Sequence, residues 1–189
     1  MTKNNKGLTM IELLAAIVIL SILLMIAVPA ISDTINKTKK KTYVSDALKL
    51  ISNADYQFRK DNKVVKPTKT RCVLMSLVYL DNGVFDEAPY GGSYVRNKSF
   101  VVAVRDDSNN IIYYARLVED IGDNEFMGIN YATSAQLEAD GSYDLVYNFG
   151  VSELFGVNGT DNATILNAVK TKVPRCSTIE VYAPNSSDA

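Results

Sequence analysis

The stretch KGLTMIELLAAIVILSILLMIAVPA, Lys6 to Ala30, decides how the rest of the chain is read. Glu12 is its only charge after Lys6, and the next charged residue is Asp33. Leu13 to Ser32 carries no charge at all, and Ser21 is the only clearly polar residue before the end of that run. About 20 apolar residues in a helix rise roughly 30 Å, the thickness of a bilayer's hydrocarbon core. A carboxylate at the edge of such a segment costs a few kcal/mol even on lenient insertion scales, so its presence asks for a partner. Pro29 lacks an amide proton and crowds the preceding turn, which predicts a bend or a loosening near the end of the run.

Helical spacing continues beyond Pro29. Val44, Ala47, Leu48, Ile51, Ala54 and Phe58 recur at threes and fours among Lys, Asp, Ser and Asn, which makes one apolar stripe on a wet helix. The pattern predicts a helix from Leu8 to Lys60, apolar all round in its first half and amphipathic in its second. The chain then divides into a polar leader (1–7), a membrane-spanning half of the helix (8–31), an amphipathic half (32–63) and a globular head (64–189). In the head, Val73, Leu74, Leu77 and Val78 predict a short helix over Cys72–Leu80. Ser99–Asp106 and Ile111–Val118 are β-rich and flank Asp107-Ser108-Asn109-Asn110, a hairpin signal. Tyr143–Phe149 and Thr178–Tyr182 read as two further strands, and Asn162–Lys172 as a helix. The fold class that follows is α+β, one long N-terminal helix packed on a small antiparallel sheet.

Composition narrows the function. The net charge of −1 hides an asymmetry: eleven Lys or Arg face five Asp or Glu up to Lys66, and nine face sixteen from Pro67 onward. The absence of histidine removes Ser-His and Cys-His nucleophilic sites, His-ligated zinc and the usual proton shuttle near neutral pH. No Gly-x-Ser-x-Gly, Walker A or Cys-x-x-Cys motif is present, so neither an enzyme nor a cofactor is expected. Cys72 and Cys176 suggest one disulfide in an exported domain and two reduced thiols in the cytosol. Asp106 with Asp107, and the group Glu119, Asp120, Asp123 and Glu125, fit no EF-hand spacing and read as solvated loops rather than a metal site.

Gly7-Leu8-Thr9-Met10-Ile11-Glu12 resembles the class III signal of type IV pilins and type II secretion pseudopilins: a short basic leader ending in Gly, then an apolar residue, three more, and a Glu. Pro29 also falls where many members of that family carry a helix-breaking proline. The resemblance implies cleavage by a prepilin peptidase between Gly7 and Leu8, N-methylation of the new Leu8 amine, and a pairing of that amine with Glu12 of a neighbouring subunit. It implies further partners as well: other copies of the same chain in a filament, an assembly platform with its ATPase, and the membrane that holds the subunit before it reaches the cell surface. Adhesion, twitching motility, DNA uptake or protein secretion would be the service rendered, with no specific nucleic acid expected. Ala88-Pro89-Tyr90-Gly91-Gly92-Ser93-Tyr94 is similar to a Pro-aromatic-Gly segment of some pseudopilins. Two departures stand out: the first mature residue would be Leu8 where Phe is frequent, and the cysteines would join the start of the head to its last strand rather than close a smaller C-terminal loop.

Two other readings compete. An ordinary signal peptide cleaved after Ala30 conflicts with the length of the run and with Glu12. A single-pass anchored binding protein lacks any recognisable ligand motif. The basic run Lys37, Lys39, Lys40 and Lys41 favours a cytoplasmic C-terminal side by the positive-inside rule, opposite to the orientation of a pilin. It reads otherwise as a solvated helix face, and the signal motif takes precedence because only export gives its cleavage site a purpose.

Overall fold

The structure is a computed structural model and describes residues 9–61, 64–81, 83–157 and 159–183. It is α+β, a long N-terminal helix followed by a sheet that is antiparallel in all but one pairing. The chain divides between Thr38 and Lys39 into two compact units.

Helix α1 spans Met10–Lys60 and crosses both units. It keeps helical hydrogen bonding on either side of Pro29, so the proline removes one backbone bond without ending the element. Nearby hydroxyls fold back on the helix: Ser21 Oγ donates to the Ile17 carbonyl at 2.8 Å and Thr34 Oγ1 to the Ala30 carbonyl at 2.9 Å. Arg59 and Lys60 in the last turn and Glu12 in the first complement the helix dipole.

The head begins in the second unit. Its strands are β1 (Arg71–Ser76), β2 (Ser93–Tyr94), β3 (Phe100–Arg105), β4 (Ile111–Gly122), β5 (Glu125–Thr133), β6 (Tyr147–Phe149) and β7 (Thr178–Tyr182), ordered β6-β5-β4-β3-β1-β7 with β2 pairing the far end of β4. Helices α2 (Leu77–Leu80), α3 (Ser134–Glu138) and α4 (Asn162–Lys170) punctuate them. Strand β7 runs parallel to β1, the one parallel pairing, because the chain crosses over through α4 before it returns to the sheet edge.

Three sequence expectations are corrected. Cys72–Leu80 is not a helix: Arg71–Ser76 is strand β1, and only Leu77–Leu80 is helical. A strand covered on both faces is a continuous apolar run and has no period-two signature, so its spacing can mimic a helix. Tyr143–Phe149 is a 3-10 turn over Ser142–Leu145 followed by a three-residue strand. Residues 119–125 are not an acidic loop: Asp120, Asp123 and Glu125 are exposed as expected, but Glu119 is buried and the segment belongs to a hairpin. They are the end of β4, a two-residue turn at Asp123-Asn124, and the start of the unanticipated β5, with Gly122 opposite Glu125. Both turn residues have positive φ, 53° and 61°, the backbone of a type I′ hairpin that Asp and Asn tolerate.

The sheet carries apolar side chains on both faces. One face receives Tyr43, Ala47, Leu50, Ile51, Ala54 and Phe58 of α1 against Val73, Met75, Val101, Leu117 and Ile129. The other face buries Leu74, Phe100, Val102 and Tyr131 under Val157, Ile165, Val169 and Val173. Cys72 and Cys176 are joined in a disulfide there, with Cα atoms 5.4 Å apart and 104 positions apart in sequence. A loop of that length gives up to about 4–5 kcal/mol in the chain-entropy treatment.

Leu50 is fully buried under the sheet, so Leu50→Ala should cost roughly 2–5 kcal/mol of head stability in urea unfolding. Val151→Ser, at a residue 68% exposed, should stay within about 0.5 kcal/mol of the parent chain. Reduction of the disulfide should lower the unfolding midpoint more than either substitution.

Candidate functional site

The first site is the start of α1. Thr9 and Glu12 form a reciprocal cap: the Thr9 amide and hydroxyl both donate to Glu12 Oε2 at 2.8 Å, and the Glu12 amide donates to Thr9 Oγ1 at 3.4 Å. Thr-x-x-Glu is a capping-box spacing, a signal present in the sequence that the family motif overshadowed. Within one chain, then, Glu12 is held by Thr9. Gly7 and Leu8, the predicted cleavage and methylation positions, lie outside the described residues. Pro29 lies inside α1.

The apolar stretch that follows is bare. Leu13, Ile17, Leu20, Leu24 and Ile31 are all exposed, and none of the span is buried against the rest of the described chain. By length and composition this helix is able to cross a membrane. So much unburied apolar surface is not stable in water and needs lipid or other helices around it.

The second unit holds the Ala88–Tyr94 segment by a buried polar network. Glu119 on β4 is fully buried, and its Oε1 accepts from the amides of Tyr90 and Gly92, each at 3.0 Å. Gly91 has φ +93°, a left-handed backbone that favours glycine, and a Cβ on Gly92 would sit 1.8 Å from the Asp120 carbonyl oxygen, so the close approach to β4 demands the second glycine. Tyr94 then pairs with Glu119 in register and donates its hydroxyl to Asp46 Oδ2 of α1 at 2.8 Å. Lys49 donates to the other oxygen of Asp46 at 2.9 Å. Tyr43 stacks edge-on against Tyr94 and donates to the Met127 carbonyl at 3.0 Å. Lys39 lies 5.2 Å from the centre of the Tyr90 ring. One helix face, one loop and two strands are thereby tied together. Sequence reasoning placed Glu119 among solvated acids and overlooked Tyr43 and Asp46.

Burial pushes the Glu119 carboxyl above the ordinary carboxylate range, against the pull of the two amides and of Lys39. Its Oε2 has no hydrogen-bond partner among the described residues. Burial also raises the hydroxyls of Tyr43 and Tyr94, which therefore remain protonated donors. The other acidic candidates serve the protein itself. Asp106 caps the β3–β4 turn through the Asn110 amide at 2.8 Å, and Asp107 makes two bonds to Arg175 at 3.0 and 2.8 Å. Those bonds hold the Asp107 carboxyl below its usual range.

Against known families, the prokaryotic N-terminal methylation motif matches residues 2–28. No curated protein and no solved structure matches the chain. The motif is the class III signal of type IV pilins and pseudopilins, and it marks the chain as a pilin-like substrate of a prepilin peptidase.

Because the folded carboxyl of Glu119 titrates above its unfolded value, its ionisation opposes folding at high pH and that penalty fades as pH falls through the raised value. Glu119→Gln keeps an oxygen for the Tyr90 and Gly92 amides and cannot ionise. The stability of Glu119→Gln relative to the parent should therefore improve as pH rises from 5 to 8 in urea unfolding series; a difference that does not vary with pH would contradict the burial argument.

Proposed function

We propose that this chain is a structural subunit of a type IV pilus. It is processed between Gly7 and Leu8, methylated on the Leu8 amine, held in the cytoplasmic membrane by residues 8–31, and polymerised into a filament displayed at the cell surface. It acts as a building block and not as a catalyst. The observation that carries this reading is the bare apolar half of α1 with a carboxylate at its edge, under the methylation motif.

Apolar helices gain little hydrophobic energy by leaving lipid for a bundle of like helices. Packing and charge pairing must then set the register of subunits, and extraction needs work from an assembly ATPase. Cleavage leaves a positive amine beside the positive end of a helix dipole, and Glu12 of a neighbour neutralises both. Removing one partner of such a pair strands the other in a poorly solvated place, at a cost of several kcal/mol.

A pseudopilin of a secretion or competence system uses the same processing and the same helix. One observation favours it: the Ala88–Tyr94 segment, whose Tyr90 and Gly92 amides bind Glu119 of β4 and whose Gly92 packs against the Asp120 carbonyl.

Mass analysis of the mature chain should find a methylated Leu8 at its start; an intact Met1, or a start at Ile31, would refute the processing. In a strain whose only copy is Glu12→Gln, processed subunit should accumulate in the membrane while surface filaments disappear. Filaments of normal length and number in that strain would sink the pairing, and filaments that never reach the surface in the parent strain would favour the pseudopilin.

A further inference from the structure

On the face of the sheet opposite α1, Arg116 is 1% exposed and makes no ion pair among the described residues. A register shift between Ala115 and Leu117 sets two residues of β5, Asn130 and Tyr131, against this one residue of β4. Tyr131 carries a φ of 54°, unusual and strained for a bulky side chain. The Arg116 guanidinium is stacked about with rings, those of Phe149, Phe155, Phe100 and Tyr131, at 4.9, 5.1, 5.8 and 5.9 Å from their centres.

Its hydrogen bonds go only to neutral oxygens. Nε donates to the Lys98 carbonyl at 3.2 Å, Nη1 to Asn130 Oδ1 at 2.5 Å and Nη2 to the Glu153 carbonyl at 2.7 Å. A guanidinium has five N–H donors, so one on each Nη is left without an acceptor among the described residues. The Tyr131 hydroxyl, in a residue only 7% exposed, also has no partner among the described residues. Three donors with no acceptor thus belong to residues of one cavity of about 190 Å³, whose walls include Arg116, Asn130, Tyr131, Phe155, Ala168 and Lys172. The one acid in its wall, Glu153, is exposed, and its carboxylate turns back to the Gly150 amide at 3.3 Å.

A buried cation with neutral partners and spare donors is costly unless an anion completes it. We propose that this cavity binds a small aliphatic carboxylate, one oxygen on the Arg116 guanidinium, the other on the Tyr131 hydroxyl, and its short tail against Phe155 and Ala168. A carboxylate suits the site because it only accepts hydrogen bonds, carries one charge to match one buried guanidinium, and leaves an apolar end for an apolar wall. The volume is below that of pockets for drug-sized ligands, which restricts the guest to a few heavy atoms. This site is independent of the membrane helix and of how the subunit assembles.

The test uses the full chain in detergent micelles, in a buffer free of carboxylates and at constant ionic strength. Acetate is titrated against chloride, with inorganic phosphate as a second arm, and thermal unfolding is followed by circular dichroism. Acetate should raise the midpoint in a saturable way. Tyr131→Phe removes only the unpartnered hydroxyl, so it should fold at least as well and bind acetate on the order of tenfold more weakly, the loss of one bond to a charged group. Ala168→Leu, at a half-buried residue of the cavity wall, should fill the cavity and abolish the acetate response while keeping the unfolding transition cooperative. A response that does not saturate, or that is equal in the parent and both variants, overturns the site. Tighter binding of phosphate than of acetate overturns the carboxylate assignment.

Discussion

The apolar half of α1 is not buried against any of the described residues, and most of what is distinctive in the sequence follows from that constraint. A soluble domain hides its large aliphatic side chains; here Leu13 through Ile31 present theirs outward on every side. A helix apolar all round is stable only in lipid or inside a bundle of its own kind. The same segment can occupy both settings because the two environments are nearly equal in apolar character. Side chains free of hydrogen bonds then give little preference between lipid and bundle. The few polar groups of the segment, Thr9, Glu12 and Ser21, all have partners within the helix: Ser21 bonds the Ile17 carbonyl, and Thr9 and Glu12 bond each other.

The head solves the opposite problem. Its sheet has two faces to cover, and the cover on each side is different in kind. On one side the amphipathic half of α1 lies over β1, β3, β4 and β5 and is fixed by directional contacts, the Tyr43, Asp46, Tyr94 and Glu119 network. Apolar packing alone would tolerate a shift of the helix by a turn; a hydroxyl that must meet Asp46 and another that must meet the Met127 carbonyl do not. On the other side the cover is mostly irregular chain with the short helix α4, which has little backbone structure of its own to hold it. The disulfide sits beneath that cover, at the point where the chain rejoins the sheet edge through β7. A crosslink is most useful where noncovalent order is least dense, which is why its long enclosed loop is an advantage rather than a burden.

What the sequence made legible is what depends on local spacing. The long helix, the β3–β4 hairpin, β7 and α4 all have periodic or turn signals within about a dozen residues, and all are present. The misreadings share a physical origin. Strand β1 lies between β3 and β7 and is buried on both faces, so it lost the alternation that identifies strands. Strand β5 begins with Glu125 and follows a cluster of acids, and the charge of that cluster masked a two-residue turn. Glu119 looked like surface because carboxylates usually are surface; only the arrival of the Tyr90 and Gly92 amides from a loop 27 to 29 residues distant makes its burial tolerable. The Arg116 cavity had no sequence signal whatever, because the bulge that builds it is a property of the pairing between β4 and β5. The Thr9-x-x-Glu12 cap was the exception: legible, and hidden behind a more specific pattern.

That cap bears on how one carboxylate serves two settings. Both bonds from Thr9 end on Oε2, so Oε1 of Glu12 accepts nothing among the described residues. A carboxylate has roughly four lone-pair positions, and the cap uses two of them. The oxygen that a neighbour's amine would meet is therefore open, and the side chain is already held in one rotamer by its own helix terminus. An ion pair formed by a preorganised partner loses less side-chain entropy than one formed by a free glutamate. In the proposed membrane-held subunit the same bonds would give the carboxylate two polar partners at its own helix terminus. In the proposed filament, cap and ion pair would then be successive uses of one side chain rather than competitors: the cap would make Glu12 tolerable before assembly and ready at the moment of assembly. Removing Thr9's hydroxyl should weaken that readiness without touching the charge, which separates the two contributions in a way that no substitution of Glu12 itself can.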